Sequence, residues 1–200
     1  QFQGAMTVID NETGKVVAMI GGRSQDELQQ TYSLNRGFQS FKQPGSSIKP
    51  LVIYTPALEE GYDANSTLTE IDVKAAKKST SEKISKMSGK KMSLRYAVED
   101  SKNGCAYSLY NIITPKVGLS YIENMNFSKI VQQDYTLSSG LGGLHHGTNT
   151  VEMANAYSTL ETMVSIGRQT VFPLFWMQAA MRSMRNRRVK RYTPVLHRIR

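Results

Sequence analysis

The sequence predicts an α/β fold. Two short β-prone runs at residues 4–9 and 15–20 are separated by a loop rich in turn formers, which indicates a β-hairpin near the start of the chain. Later runs are helix-like, and one of them opens with the spacing of a capping box. With 200 residues, of which 40% are hydrophobic, the chain is long enough to bury one sizeable core.

Composition excludes several classes of protein. Charged residues make up 20% of the chain, which is typical of a globular domain and not of a disordered polyelectrolyte. A single Cys cannot form an intrachain disulfide, and one Cys with three His argues against a structural zinc site. Apolar-rich runs such as residues 169–181 are shorter than the roughly 20 residues that span a bilayer. Because the sequence starts at Gln1 without a charged-then-apolar leader, we interpret it as a fragment of a longer protein.

The first predicted helix runs from Ser46 to about residue 60, and Gly61 ends it. A proline is tolerated only among the first four helical residues, whose N–H groups have no partner within the helix. Placing Ser46 at the N-cap makes Pro50 the fourth helical residue, which satisfies this condition. Pro56 is expected to kink the helix or to divide it into two shorter pieces.

The rest of the chain alternates polar segments with short helical runs. The lysine-rich stretch 72–92 is predicted to be a solvated loop. Further helices are predicted at residues 93–100, at residues 106–113 before Pro115, and from the capping box Asn149–Glu152 through Leu160. Residues 140–143, Gly-Leu-Gly-Gly, are predicted to form a flexible loop.

The run Ser46-Ser47-Ile48-Lys49 is the first pattern that can carry chemistry. A serine hydroxyl is a poor nucleophile until a base takes its proton, and a lysine three residues later on a helix lies on the same face. Burial and the positive end of the helix both disfavour the ammonium form of Lys49, so its amine can act as that base near neutral pH. The N–H of Ser46 can stabilise a developing oxyanion. Ser47 cannot replace Ser46, because Pro50 stands three residues later. By itself the pattern more often marks an N-cap serine followed by a surface lysine.

The surrounding residues add a resemblance to a known family. Residues 43–50, Gln-Pro-Gly-Ser-Ser-Ile-Lys-Pro, resemble the nucleophile segment of the penicillin-binding proteins, especially the bifunctional class A enzymes, which share their active-site logic with the serine β-lactamases. Residues 4–10 and 17–22 resemble the hairpin that opens the transpeptidase domain, and Ser101-Lys102-Asn103 resembles the second motif, Ser-x-Asn. Residues 141–143 and 152–157 resemble a later glycine-rich segment and helix, so the resemblance runs from about residue 4 to residue 160.

The resemblance implies roles for four residues. Ser46 would attack the carbonyl carbon between the two terminal D-alanines of a peptidoglycan stem peptide, and Lys49 would accept its proton. Ser101 would help relay a proton to the leaving nitrogen, and Asn103 would hydrogen-bond the peptide part of the substrate. β-Lactams, which resemble D-Ala-D-Ala, would be trapped on Ser46. No cofactor and no metal is expected.

The resemblance also implies an architecture and a location. The expected fold is the α/β fold of the penicillin-recognising enzymes, in which a sheet is flanked by helices and the active site lies between the sheet and a helical region. The parent protein would be membrane-anchored and would act at the extracytoplasmic face of the bacterial cell membrane. It would carry a glycosyltransferase domain upstream.

The family's third motif, Lys-Thr-Gly or Lys-Ser-Gly on an edge strand, does not occur in the 200 residues. We therefore predict that residues 1–161 are a partial transpeptidase domain, truncated before the third motif, with impaired activity. Residues 162–200 are predicted to be a basic tail that does not match the family, since from Met163 onward the chain holds nine Lys or Arg and no acidic residue. A shifted reading frame or a fusion junction is the favoured account of this change, and genuine divergence is the alternative.

Other interpretations stay open at this point. The chain could be a β-lactam sensor that is acylated without turnover. Residues 172–177 beside the basic residues 182–191 could instead bind a membrane surface or nucleic acid, although the transpeptidase interpretation expects no nucleic-acid partner. Cys105 is either a reactive thiol near the site or a small packed side chain, and we favour packing. His145 and His146 are predicted to be loop histidines and not metal ligands.

Overall fold

The computed structural model describes residues 3–23 and 34–165, so nearly all of the tail predicted at 162–200 lies outside the described residues. The described elements, in chain order, are β1 (Met6–Asp10), β2 (Lys15–Ile20), a 3-10 turn (Gly45–Ile48), a π turn (Pro50–Tyr54), α1 (Thr55–Glu59), β3 (Thr67–Glu70), α2 (Val73–Ala76), α3 (Ser81–Ser85), β4 (Lys90–Ser93), α4 (Leu94–Glu99), α5 (Asn103–Ile113), α6 (Pro115–Asn124), 3-10 turns at Gln132–Asp134 and Ser139–Leu141, and α7 (Thr150–Ser165). Strands and helices occur together, and the predicted α/β class is confirmed. Within these residues no helix combines the length and the apolar character needed to cross a membrane.

The predicted hairpin at the start of the chain is confirmed. β1 and β2 pair antiparallel, with a bulge between Val8 and Ile9. The hairpin packs against α7, where the hydroxyl oxygens of Thr7 and Thr150 lie 2.7 Å apart. The first and the last described elements of the chain are therefore neighbours in the fold.

The first helical run is not the single helix that was predicted with Ser46 at its N-cap. Ser46 lies inside the 3-10 turn, and the backbone then passes through the π turn before α1 begins. Pro50 and Pro56 have no N–H to donate, which prevents regular α-helical bonding through this run. Thr55 instead donates both its backbone N–H and its hydroxyl to the carbonyl of Pro50, five residues earlier. The division expected at Pro56 falls one residue before it.

The stretch 72–92 is not the solvated loop that was predicted. It contains α2, α3 and most of β4, which pairs with β3. Asp72 and Thr80 cap α2 and α3, each accepting a backbone N–H bond with its side chain. All of the lysines are exposed, whereas Ala76 and Ile84 are buried in a small second core. A few buried apolar residues and two helix caps stabilise this stretch. Its lysine-rich composition gives no indication of either.

The helices that follow were predicted in part. α4 is confirmed, with Ser93 as the N-cap whose hydroxyl accepts the N–H of Tyr96. α5 begins at Asn103, three residues earlier than predicted. α6 was not predicted, because Pro115 indicated only the end of α5. Pro115 is also the first residue of α6, where a backbone N–H would have no acceptor within the helix, so a proline is tolerated there. Thr114 caps that helix.

The main core lies between α5, α6 and the π turn. Leu51, Val52 and Ile53 of the π turn are fully buried, and each such side chain contributes about 1.5–3 kcal/mol on burial. On α5, the buried Tyr110 shares a hydrogen bond of 3.1 Å with the hydroxyl of Ser139. The segment that directly follows Lys49 is thus anchored in the core.

The capping box at the start of α7 is confirmed. Asn149 Oδ1 accepts the N–H of Glu152 at 2.9 Å, and Glu152 Oε2 accepts the N–H of Asn149 at 3.3 Å. Glu152 is buried, and it also accepts the hydroxyls of Ser128 and Thr148. The backbone of Thr148 exchanges two hydrogen bonds of 2.8 Å with Lys42. The box therefore ties α7 to the segment that leads into Ser46.

Candidate active site

Ser46 lies exposed on the 3-10 turn, and we call residues 43–48 the serine turn. Gly45 has φ +57°, in the left-handed region that glycine enters without steric cost. The N–H of Lys49 donates to the carbonyl of Ser46. Side chains three residues apart lie over one another in a 3-10 turn, so Ser46 and Lys49 share one face of it.

Lys49 is only 1% exposed, which is unusual for a lysine. Its Nζ donates to the carbonyl oxygen of Ser101 at 2.8 Å, to the hydroxyl of Ser101 at 3.1 Å and to Oδ1 of Asn103 at 2.7 Å. Three of the four predicted site residues are thus brought together by direct hydrogen bonds. The Nζ bonds go to Ser101 and Asn103 and not to Ser46. Ser46 shares a face of the turn with Lys49 through its spacing of three residues.

Burial lowers the pKa of the Lys49 ammonium below its ordinary value of 10.5, because removal from water disfavours the charged form. The three oxygens around Nζ are neutral, so none of them carries a negative charge that would hold the proton. The hydroxyl of Ser101 can accept from an ammonium and can also donate to a neutral amine. Lys49 and Ser101 are therefore placed to exchange a proton directly.

Ser101 has a strained backbone, with φ +49°. This value is uncommon for a residue other than glycine, and it costs on the order of 1–3 kcal/mol unless the surroundings hold it. Lys49 holds both the carbonyl and the hydroxyl of Ser101, and the N–H of Lys102 donates to the carbonyl of Ala97 at 2.9 Å. Backbone strain of this kind clusters at functional sites, so the φ angle of Ser101 indicates a functional site, which the sequence alone does not show.

The glycine-rich segment 140–143 is a closely packed turn and not the flexible loop that was predicted. Gly142 has φ +87°, and a Cβ at that position would lie 2.3 Å from the backbone nitrogen of Gly45. Gln43 Nε2 donates to the carbonyl of Leu144 at 2.7 Å, across 101 residues of sequence. Gly142 therefore packs against the serine turn, and the neighbouring Leu144 accepts a hydrogen bond from it.

We expect Gly142→Ala to displace the serine turn. Its Cβ would collide with the backbone of Gly45, and the resulting overpacking lowers the free energy of unfolding by about 1–3 kcal/mol. Gly14→Ala is the matched control, because Gly14 has φ +69° and a Cβ added there would meet no atom within 4 Å. Urea unfolding of both variants measures the difference. Equal losses for the two variants would show that strain at φ, and not the collision, accounts for the effect.

Cys105 belongs to the buried surroundings of Lys49, and Tyr54 lies near Cys105. Cys105 is fully buried, and burial raises the pKa of its thiol to about 11, so the predicted packed thiol is confirmed. Burial also raises the pKa of Tyr54 to about 12. The Tyr54 hydroxyl is buried without a hydrogen-bond partner in the described part of the chain. The sequence did not single out Tyr54, because a π turn, in which backbone bonds join residues five apart, was not predicted here.

His145 and His146 lie in an exposed loop, as predicted. Their rings meet edge to face, with centroids 4.6 Å apart. The N–H of His145 donates to the fully buried carboxylate of Asp134 at 2.6 Å. Across residues 3–23 and 34–165, no group of three or more His, Cys, Asp or Glu is arranged to hold a metal ion.

The chain is similar to proteins of known family. Residues 4–190 match the model of the family described as the penicillin binding protein transpeptidase domain, a match that extends past residue 161. Penicillin-binding protein 4 of Bacillus subtilis is 32% identical over 157 residues, which cover 78% of this chain and 24% of that protein. Penicillin-binding protein 1A of Clostridium tetani is 29% identical over 194 residues, which cover 86% of this chain and 23% of that protein. This chain therefore spans about a quarter of the length of these curated relatives.

A solved structure supports the fold. The crystal structure of penicillin-binding protein 1A from Haemophilus influenzae aligns with a TM-score of 0.61 at 24% sequence identity. The alignment covers 80% of this chain and 23% of that one. The described residues therefore have the fold of part of that protein.

Proposed function

Because the chain belongs to the family of penicillin-binding protein transpeptidase domains, we propose that it is a peptidoglycan D,D-transpeptidase domain with Ser46 as its nucleophile. The observation that carries the proposal is the buried Lys49, whose Nζ lies 3.1 Å from the hydroxyl of Ser101 and 2.7 Å from Oδ1 of Asn103. A lysine with a lowered pKa beside a serine is what activation of a hydroxyl requires.

The first step is acylation. Ser46 Oγ attacks the carbonyl carbon of the bond between the two terminal D-alanines, and the neutral amine of Lys49 takes the hydroxyl proton. The C–N bond then breaks, and the leaving nitrogen receives that proton by way of the Ser101 hydroxyl. The products are an ester on Ser46 and free D-alanine.

The second step transfers the acyl group. The amine of a neighbouring stem peptide attacks the ester carbonyl, an amide bond forms, and the C–O bond to Ser46 breaks with return of a proton to its oxygen. Asn103 binds the stem peptide: its Oδ1 is occupied by Lys49, which leaves the amide NH₂ to donate to a substrate carbonyl. A β-lactam undergoes the same attack, but its leaving nitrogen stays tethered, so the adduct persists.

We place this activity at the extracytoplasmic face of the bacterial cell membrane. There the peptidoglycan stem peptides and β-lactams would be its partners, within a membrane-anchored parent protein that carries a glycosyltransferase domain upstream. The similarity of this chain to about a quarter of longer penicillin-binding proteins supports the assignment to one domain of such a parent.

We further propose that the 200-residue chain acylates slowly. It contains no Lys-Thr-Gly or Lys-Ser-Gly, which in this family contacts the substrate carboxylate and supplies an oxyanion donor. Loss of one oxyanion donor alone costs on the order of 100-fold in rate. We expect weak labelling by fluorescent penicillin, and recovery of rapid labelling when a transpeptidase continuation through the third motif replaces the residues after Glu161. Rapid stoichiometric labelling of the unextended chain would contradict this expectation.

The test of the function compares the two chains with two readouts. Labelling by fluorescent penicillin reports acylation, and release of D-alanine from a stem peptide ending in D-Ala-D-Ala reports the enzymatic reaction. Both signals from the extended chain support the transpeptidase. Labelling without D-alanine release would instead support a sensor, and a folded extended chain with neither signal would refute the proposal.

A further inference from the structure

The carbonyl of Ser47 lies at a break in the hydrogen bonding of the serine turn. The N–H of Lys49 donates to the carbonyl of Ser46, three residues earlier. The next bond of the same kind would run from residue 50 to the carbonyl of Ser47, but residue 50 is a proline and has no N–H. The serine turn therefore cannot complete this 3-10 bonding from its own residues.

A side chain from the far end of the described chain donates to this carbonyl. The hydroxyl of Tyr157 on α7 donates to the carbonyl oxygen of Ser47 at 2.7 Å, across 110 residues of sequence. The hydroxyl of Ser47 donates to the carbonyl of Pro44 at 2.7 Å. The residue next to Ser46 is thus held at its carbonyl and at its side chain.

α7 is a firm support for Tyr157. Its start is fixed by the capping box of Asn149 and buried Glu152, and the neighbouring Ala156 is fully buried. Burial raises the pKa of Tyr157, so its hydroxyl keeps its proton and stays a donor across the neutral range.

We propose that Tyr157 is a positioning residue for Ser46: by holding the Ser47 carbonyl it fixes the serine turn in the orientation that presents Ser46 Oγ on the Lys49 face. This inference rests on the proposed function. Tyr157 acts through the backbone and takes no part in proton transfer. Its loss therefore slows the covalent step and leaves the preceding non-covalent binding of a β-lactam unchanged.

The test uses Tyr157→Phe in the full 200-residue chain, which keeps the ring and removes only the donor. Tyr62→Phe is the control for the substitution itself, because the Tyr62 hydroxyl has no hydrogen bond within the described residues; Tyr62 is partly buried, whereas Tyr157 is 40% exposed. Acylation by a β-lactam is followed by mass spectrometry over a range of concentrations, which separates the rate constant of the covalent step from the dissociation constant of the encounter complex. We expect Tyr157→Phe to lower that rate constant by about three- to tenfold, the effect of one lost hydrogen bond, with the dissociation constant unchanged.

A second measurement does not depend on activity. Hydrogen–deuterium exchange of a peptide that spans the serine turn and Lys49 includes the Lys49 N–H, and we expect faster exchange of this peptide in Tyr157→Phe and not in Tyr62→Phe. Unchanged acylation and unchanged exchange would overturn the proposal. A change in affinity that accompanies a general loss of stability would also overturn it, because it would assign Tyr157 a structural role only. If the unsubstituted 200-residue chain is never acylated but exchange still rises in Tyr157→Phe, the proposed function fails. The conclusion that Tyr157 holds the serine turn would then still stand.

Discussion

We expect Ser46→Ala to abolish covalent labelling by β-lactams and Ser47→Ala to leave much of it. Only Ser46 stands three residues before a lysine on the same face of the turn. The Ser47 hydroxyl instead donates to the carbonyl of Pro44 at 2.7 Å, and Pro50 occupies the position three residues after it. Both variants are compared in the chain extended through the third motif, where labelling is expected to be rapid.

Mass spectrometry of the acylated peptide decides the assignment of the nucleophile. The peptide that carries the adduct should contain Ser46, and fragmentation should place the added mass on that residue. An adduct on Ser47 or on Ser101 would show that the nucleophile has been assigned to the wrong serine.

The second large effect is expected at Lys49. Lys49→Arg should lose acylation almost as completely as Lys49→Ala, by on the order of 10²–10⁴-fold, because arginine keeps the charge but cannot accept a proton from Ser46. Lys91→Arg, at an exposed lysine of β4, is the control for the substitution itself. Initial rates of acylation measure the loss. Near-normal acylation by Lys49→Arg would show that Lys49 only supports the site electrostatically.

The pH dependence of acylation follows from the same residue. Because burial lowers the pKa of Lys49 below 10.5, the amine becomes neutral at a lower pH than an exposed lysine, and the rate should rise with pH through that lowered pKa. The unfolded chain holds this proton more tightly than the folded chain does. The contribution of Lys49 to the free energy of unfolding therefore also rises with pH between the lowered pKa and 10.5. An acylation profile that is flat over this window would contradict the role of Lys49 as the base.

Local signals predicted the parts of the fold that local chemistry decides. The hairpin follows from β-prone runs around a turn, α4 begins at its serine cap, and α7 begins at the box formed by Asn149 and Glu152. The serine and lysine of the first motif were singled out by spacing. Ser101 and Asn103 came from the family resemblance alone, and the hydrogen bonds to Lys49 show where they lie but leave their catalytic roles as proposals.

What the sequence could not predict depends on partners far away in the chain. The helices within 72–92 form because Ala76 and Ile84 find a second core, and no periodic pattern announces it. The glycine-rich segment 140–143 is closely packed because Gly142 lies against Gly45 and Gly140 lies against Tyr110. From the sequence, Tyr157 cannot be told apart from other residues of an amphipathic helix. Only the structure shows that its hydroxyl donates to the carbonyl of Ser47.

The order of the site residues along the chain bears on how the site assembles during synthesis. Lys49 finds its partners 52 and 54 residues later, at the start of α5. The contacts that hold the serine turn come from Gly142, Leu144 and Tyr157, the last of them 110 residues after Ser47. Contacts between distant residues form only after the loop between them closes, which makes them slow relative to local ones. A growing chain that has reached α5 already contains every group that hydrogen-bonds Lys49 Nζ, but none of these three residues that hold the serine turn.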